Sequence, residues 1–331
     1  MLHITNGDAA ANVLRRAGIT DPILPWRDVL HEGPVPSGLS LRELSKVRAE
    51  FIAECGWGRL EEVTRQFDVR DETLASGGAD TDVMLWFESD LCDQLQLCQV
   101  LGWYRDQSTV PRLSLTSSTD SGDGRFRGLG AMQPEAIAEL ARQAQPVQRD
   151  QLELAARAWE AFRSPEPTAL DKVRREGTQP LPDLGSALIR FFQELPAKSN
   201  GLSRTEQAAV SAVAEGKHAP AEIWVAVHTR EERPFMGDWQ FWRLLARLAS
   251  GTPALLELAS GARPRFPPQV PAAAAFGAQR FRLTPTGREV LEGRKDAIHT
   301  IGIDRWWGGT HLRSNGTVWR WDESSGTLSR A

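Results

Sequence analysis

The sequence predicts an α/β N-terminal domain with a mostly parallel, Rossmann-like sheet, then a helical segment, then a winged-helix-like α+β C-terminal domain. Three observations carry this. Short apolar strands alternate with amphipathic helices over residues 2–118; a proline-punctuated helical stretch follows over 134–195; three helices, a strand and a further helix come after 202. Alternating strands and helices build a parallel sheet covered on both faces, with its site at the carboxyl ends of the strands. The boundaries read as 1–130 for a ligand-binding or catalytic domain, 131–195 for helices packing on it, and 202–331 for the last domain and its terminal hairpin. At 331 residues and 41% hydrophobic residues, the chain is long enough for more than one core.

The first strand is Leu2–Thr5. Ala10, Val13, Leu14 and Ala17 follow at the spacing of one buried helix face, and Gly18 stops the helix. Ile23–Trp26 is a second strand, 41–55 a helix, and Val83–Phe87 an almost fully apolar strand. Leu91, Leu95, Cys98 and Leu101 mark the buried face of the next helix, and Arg112–Thr116 is the fourth strand. Residues 119–130, rich in Ser, Asp and Gly, read as a mobile loop in which Arg125 and Arg127 could form an anion-binding flap. "PAKSNG" at 196–201 reads as a linker.

Beyond it, Ser203 and Glu206 make a capping box opening a helix that ends before Gly216. Further helices cover about 220–228 and 238–249. Phe281 and Leu283 alternate as strand residues, Thr284 is an N-cap and Pro285 the first helical position. Asn315-Gly316 predicts a hairpin turn between two short strands.

Cys55, Cys92 and Cys98 form no CxxC pair, which argues against a disulfide framework or a thiolate zinc site and for a reducing, cytoplasmic setting. No apolar run approaches the roughly 20 residues that span a bilayer, and the N-terminus lacks a signal-peptide pattern, so a soluble protein is expected. The net charge of −4 is uneven: residues 197–331 hold 18 Lys+Arg against 13 Asp+Glu, leaving 21 against 30 upstream. An acidic front half is a poor general nucleic-acid binder, and the back half is only modestly basic.

Three strand ends finish in polar clusters: Asn6-Gly7-Asp8, Trp26-Arg27-Asp28, and Glu88-Ser89-Asp90 with Asp93-Gln94 one turn on. If the strands lie side by side, Asp8, Asp28, Glu88, Asp90 and Asp93 converge on one rim, with Asp8, Glu88, Asp90 and Asp93 as oxygen ligands for a hard cation such as Mg²⁺ or Mn²⁺. Asp8 and Asp90 equally suit helix N-caps. "WRDVLHEGPVP" at 26–36 concentrates more chemistry than a connection needs. Arg27 suits an anion clamp. Asp28, His31 and Asp90 are the catalytic candidates, with His31 as general acid or base. Asn6, Gly7, Asp8, Trp26, Arg27 and Gln94 are candidate ligand contacts, joined by Asp304 and Arg305 of "GIDRWWGG", whose alternative role is the core of a small hairpin. Gln240, Arg243 and Arg247, at i, i+3 and i+7, would suit a DNA recognition helix.

"LHITNGD", "LPWRDVLHEGPVP", "LWFESDLCDQLQL", "NGLSRTE", "PFMGDWQFW" and "GIDRWWGG" occur in that order between residue 2 and about 322. In these motifs the chain resembles a bacterial family of uncharacterised proteins, domain of unknown function 1835 joined to the companion C-terminal domain 3658. The resemblance implies a two-domain order in soluble bacterial proteins and carries no catalytic residues. The leading expectation is an α/β domain that binds or processes a phosphorylated or nucleotide-type small molecule, with a divalent cation. The alternatives are a ligand-sensing regulator that binds DNA or a protein through the winged-helix-like domain, and a metal-dependent nuclease.

Overall fold

A computed structural model describes residues 1–77, 81–118, 128–264, 270–316 and 318–330, with the side chains of 270–273 left aside. Arg125 and Arg127 lie outside the described residues. The chain divides into two compact units: Met1–Phe51, Leu60–Ile189 and Gly308–Thr310 form the first, and Ile52–Arg59, Arg190–Trp307 and His311–Ala331 the second.

In the first unit, β1 (Leu2–Thr5) leads into α1 (Asp8–Arg16) and back to β2 (Ile23–Pro25). Then come α2 (Leu41–Glu54), α3 (Leu60–Ser76), β3 (Val83–Glu88), α4 (Leu91–Arg105) and β4 (Leu113–Ser118). A 3₁₀ turn at Leu129–Ala131, α5 (Pro134–Gln143), β5 (Gln145–Pro146), α6 (Arg149–Phe162) and α7 (Thr168–Glu176) follow. Five strands form one sheet in the order β2-β1-β3-β4-β5. The first four are parallel, with His3 opposite Ile23 and Met84, and Trp86 opposite Thr116; β5 runs antiparallel at the edge. Pro146 is tolerated there because an edge strand can forgo a ladder donor.

Strand order reverses between β1 and β3, and at such a point the connections leave in opposite directions and open a crevice at the carboxyl ends. Burial of all of β1 and nearly all of β3 shows that both faces of the sheet are covered. Ala10, Val13 and Leu14 of α1 pack with Trp86, Leu129 and Ile137 into one core. Against α4 packs α6. Helix α4 is buried almost all round, its glutamines included: Gln94 and Gln96 donate to the carbonyls of Glu88 and Asp28, and Gln99 accepts from the Trp26 indole. A helix so enclosed keeps most of its polar side chains by bonding them.

The second unit follows α8 (Leu184–Phe192) with α9 (Arg204–Ala214), α10 (Pro220–His228) and α11 (Asp238–Leu248). Next are β6 (Leu256–Leu258), α12 (Val270–Gly277), β7 (Phe281–Leu283), α13 (Pro285–Leu291) and α14 (Ala297–Ile301). Four short strands complete it: β8 (Asp304–Trp307), β9 (Thr310–Arg313), β10 (Trp319–Asp322) and β11 (Thr327–Arg330). Ser203 and Glu206 form the expected capping box, and the Thr284 hydroxyl caps Gly287 N behind Pro285. Antiparallel β6 and β7 place Leu256 opposite Leu283 over a core that includes Val210, Phe241 and Leu245.

Two local expectations are corrected. Asn315-Gly316 does not join paired strands: β9 pairs with β8 and β10 with β11. The paired strands turn at Gly308-Gly309, where Gly308 has φ +58°, and at 323–326. Nor is 196–201 a free linker. Pro196 O and Lys198 N bond the Trp321 backbone, Arg320 donates to Ala197 O, and the boundary between units falls at Ile189–Arg190.

Candidate functional site

The carboxyl ends of β1 and β3 bring four polar side chains together. Glu88 closes β3, Asp90 caps α4, Asp93 stands in its first turn, and Asn6 follows β1. Asn6 donates from Nδ2 to Asp93 Oδ1 at 2.9 Å and to Glu88 Oε1 at 3.3 Å, tying the two strand ends across the switch point. Asp93 Oδ2 accepts from Glu88 N at 2.6 Å, and Asp90 Oδ1 accepts from Cys92 N at 2.8 Å and Asp93 N at 3.2 Å. Gln94 fixes the same turn through the Glu88 carbonyl at 2.7 Å.

Leu129 N closes the site from the far side, donating to Glu88 Oε1 at 2.6 Å. A Cβ at Gly128 would stand 2.9 Å from Glu88 Oε2, so any other residue here would push the Glu88 carboxylate aside. Sequence reasoning missed the contact. Its one signal was the Gly-Leu-Gly after the loop, where close approach of backbone calls for glycine.

Glu88, Asp90 and Asp93 each offer an oxygen within 4.8 Å of the others, and all three are buried. Among the described residues, the hydrogen bonds from Asn6 and Leu129 to Glu88 fall on Oε1, those from Cys92 N and Asp93 N to Asp90 on Oδ1, and no Arg or Lys forms an ion pair with any of the three. Burial and then the neighbouring Glu88 push the Asp90 carboxyl up to about 7. Burial followed by Asp90 raises Asp93 well above the carboxylate range, and burial also raises Glu88. Burial and the acids around it raise the Cys92 thiol too, which removes it as a thiolate nucleophile or soft ligand.

Asp8, expected among the metal ligands, does not join this group. Its carboxylate is exposed and taken by Arg27, whose Nε and Nη2 reach Oδ2 and Oδ1 at 2.8 and 2.7 Å, and this holds the Asp8 carboxyl below its usual range. Gly7 is the N-cap of α1 and supplies no side-chain cap. Trp26 is fully buried, a structural anchor whose indole donates to Gln99 Oε1 at 2.7 Å and whose ring lies under Arg70.

Asp28 lies with Arg48 in a fully buried ion pair, Nε at 3.0 Å from Oδ1. Arg48 also donates to the carbonyls of Val29, Glu32 and Pro34, so one guanidinium shapes the whole 28–34 loop, with His31 buried inside it. Nothing in the sequence marked Arg48 for this. Asp28 Oδ2 is buried without a hydrogen-bond partner.

The remaining candidates fall in the second unit. Asp304 holds the His311 ring at 2.6 Å, while Arg305 donates to Glu194 O. Trp307 belongs to the core, stacked on Phe191 at 4.0 Å. On α11, Gln240 is buried, not exposed as a recognition residue must be, because the apolar face spreads over Gln240, Phe241, Leu244 and Leu248. Arg247 pairs with Glu206, and Arg243 is exposed.

A scan against models of known protein families finds no match to this chain. A search of curated proteins likewise finds no significant match.

Proposed function

We propose that the first unit binds a phosphorylated or nucleotide-type small molecule through a divalent cation, Mg²⁺ or Mn²⁺, held by Glu88, Asp90 and Asp93 on a Rossmann-like sheet. The observation that carries this reading is the set of three buried carboxylates, with oxygens within 4.8 Å of one another and no cationic partner among the described residues. Like charges this close and this buried disfavour one another's ionisation. A bound cation reverses that cost, and oxygen donors suit a hard ion. Their place at the reversal of strand order, where open α/β sheets receive ligands, supports the second half of the reading.

In this reading Glu88 and Asp90 turn Oε2 and Oδ2 to the ion, and Asn6 and Leu129 N fix the orientation of the acids through Glu88 Oε1 and Asp93 Oδ1. A cation there neutralises the anionic group of the ligand. The three-helix arrangement of the second unit with β6 and β7 is read as winged-helix-like. Burial of Gln240 and the Arg247–Glu206 pair weigh against its using α11 on DNA. The chain is read as a soluble, cytoplasmic member of the bacterial family it resembles.

Titration of Mn²⁺ into the full chain, followed by its paramagnetic resonance signal, tests the reading. One saturable site is expected in the wild type, weakened at least about tenfold in Asp90→Asn, which keeps the helix cap but removes a charged ligand oxygen. Equal Mn²⁺ binding by wild type and variant, or none by either, would overturn it.

A further inference from the structure

We propose that Arg27 is the clamp for a phosphate group at this site and that Asp8 occupies its fork until that group arrives; this rests on the reading just given. The starting point is backbone strain. Arg27 has φ +45° and is, among the described residues, the only non-glycine residue with positive φ. Its neighbours fix it there. Trp26 is fully buried, with its N bonded to Thr5 O at 2.7 Å, and Asp28 is anchored on Arg48. A left-handed L-residue is strained, and an exposed ion pair returns too little to offset that. Glycine would sit at position 27 without strain, so the arginine side chain is what the position keeps.

What that side chain does is visible in its present partner. Nε and Nη2 take the two oxygens of Asp8 in parallel at 2.8 and 2.7 Å, the planar fork geometry that equally takes two oxygens of a phosphate. Both side chains are substantially exposed, 38% for Arg27 and 59% for Asp8, so the pair can exchange. Asp8 is the first residue of α1, and a Cβ on the preceding Gly7 would meet nothing within 4 Å. A phosphate in that open space meets the positive end of α1 and the Arg27 fork together, and Asp8 turns to water. Asp8 is thus an internal competitor that screens the clamp against weak carboxylate ligands.

Calorimetric titration of the full chain with inorganic pyrophosphate, with Mn²⁺ present, provides the test. Removing the competitor in Asp8→Asn should tighten pyrophosphate binding about two- to fivefold, the strength of an exposed pair. Arg27→Gly should weaken binding roughly 10- to 100-fold, the worth of a charge-assisted bidentate contact, while its melting temperature stays equal to or rises above that of the wild type. Arg27→Lys should fall between. Unchanged or weaker binding by Asp8→Asn, or full binding by Arg27→Gly, overturns the proposal. Mn²⁺ titrated alone reports the acid group separately. If Mn²⁺ binds and pyrophosphate ignores Arg27, the clamp fails and the cation reading stands; if pyrophosphate follows Arg27 without any Mn²⁺ binding, the cation reading fails instead.

Discussion

Replacing Asp90 with Asn should stabilise the first unit in alkaline solution without metal, a result opposite to that expected of most buried-site substitutions. The carboxyl titrates near 3.8 when unfolded and at about 7 in the fold, raised by burial and then by Glu88. Between those values the folded state binds the extra proton, so stability falls as pH rises through the window and stays low above it. Three units of displacement correspond to about 4 kcal/mol at pH 8, and to less than ~2 kcal/mol at pH 5. Asn cannot ionise, yet it keeps the oxygen that caps Cys92 N and Asp93 N. Hydrogen exchange over peptides 83–105 in the presence of a chelator measures the opening free energy of this region alone. The variant should exceed the wild type by several kcal/mol at pH 8, with the gap closing towards pH 5. A variant no more protected than the wild type at pH 8, or a gap that does not change with pH, would refute the reasoning that Asp90 is ionised there at a cost.

Glu194 should give the opposite pH dependence in the second unit: burial raises its carboxyl, but Arg190 and Arg305 outweigh that and hold it low. Its stabilisation is therefore present above the ordinary glutamate range and lost as pH falls through the lowered value, so the exchange protection of peptides 190–214, corrected for the intrinsic rate, should fall in acid. Arg48→Met should lower first-unit stability by about 3–5 kcal/mol, because it strands the buried Asp28 carboxylate, and chemical denaturation at neutral pH reads this directly. Gly128→Ala should push Glu88 Oε2 aside and weaken Mn²⁺ binding, with little change in melting temperature; undiminished Mn²⁺ affinity would remove Glu88 from the ion site.

The sheet was legible because its strands are short apolar runs bounded by turn residues, and β1, β3 and the helix α1 follow their pattern closely. Helix α3 was not. Its buried positions are Val63, Phe67, Arg70 and Leu74, and an arginine at a core position, stacked on Trp26 and Phe67, dilutes the apolar periodicity among many charges. Arg48 was hidden for the same reason: it lies four residues from both Leu44 and Ile52, on the buried stripe of α2, but an arginine there does not count towards an apolar pattern. Convergence of Glu88, Asp90 and Asp93 was readable from one strand end, since all three come from six consecutive residues. Whether Asp8 joined them depended on which acid Arg27 would take, and that is a matter of three-dimensional reach. The Gln240 error has a plainer cause: α11 buries a wider stripe than the i, i+3, i+7 count allows.

Buried acids are held in two opposite ways in this chain, and the contrast bears on function. Glu194 and Glu206 lie deep in the second unit, yet each faces arginines, Arg190 and Arg305 for one and Arg247 and Arg305 for the other, so both remain ionised below the usual glutamate range. Such acids are neutralised inside the fold and need nothing further. Glu88, Asp90 and Asp93 are as deeply buried, their side chains hydrogen-bonded among the described residues by the Asn6 amide and by backbone N–H groups, and all three are raised. Hydrophobic or amide residues of similar volume would fill the same space more cheaply. Perturbed groups gathered at a crevice mark working sites more often than structural ones. The charge missing from this site is positive, and Arg27, two residues beyond β2, is turned instead to Asp8. On the proposed reading, a cation from solution supplies to these three acids the positive partner that the glutamates of the second unit find in arginines.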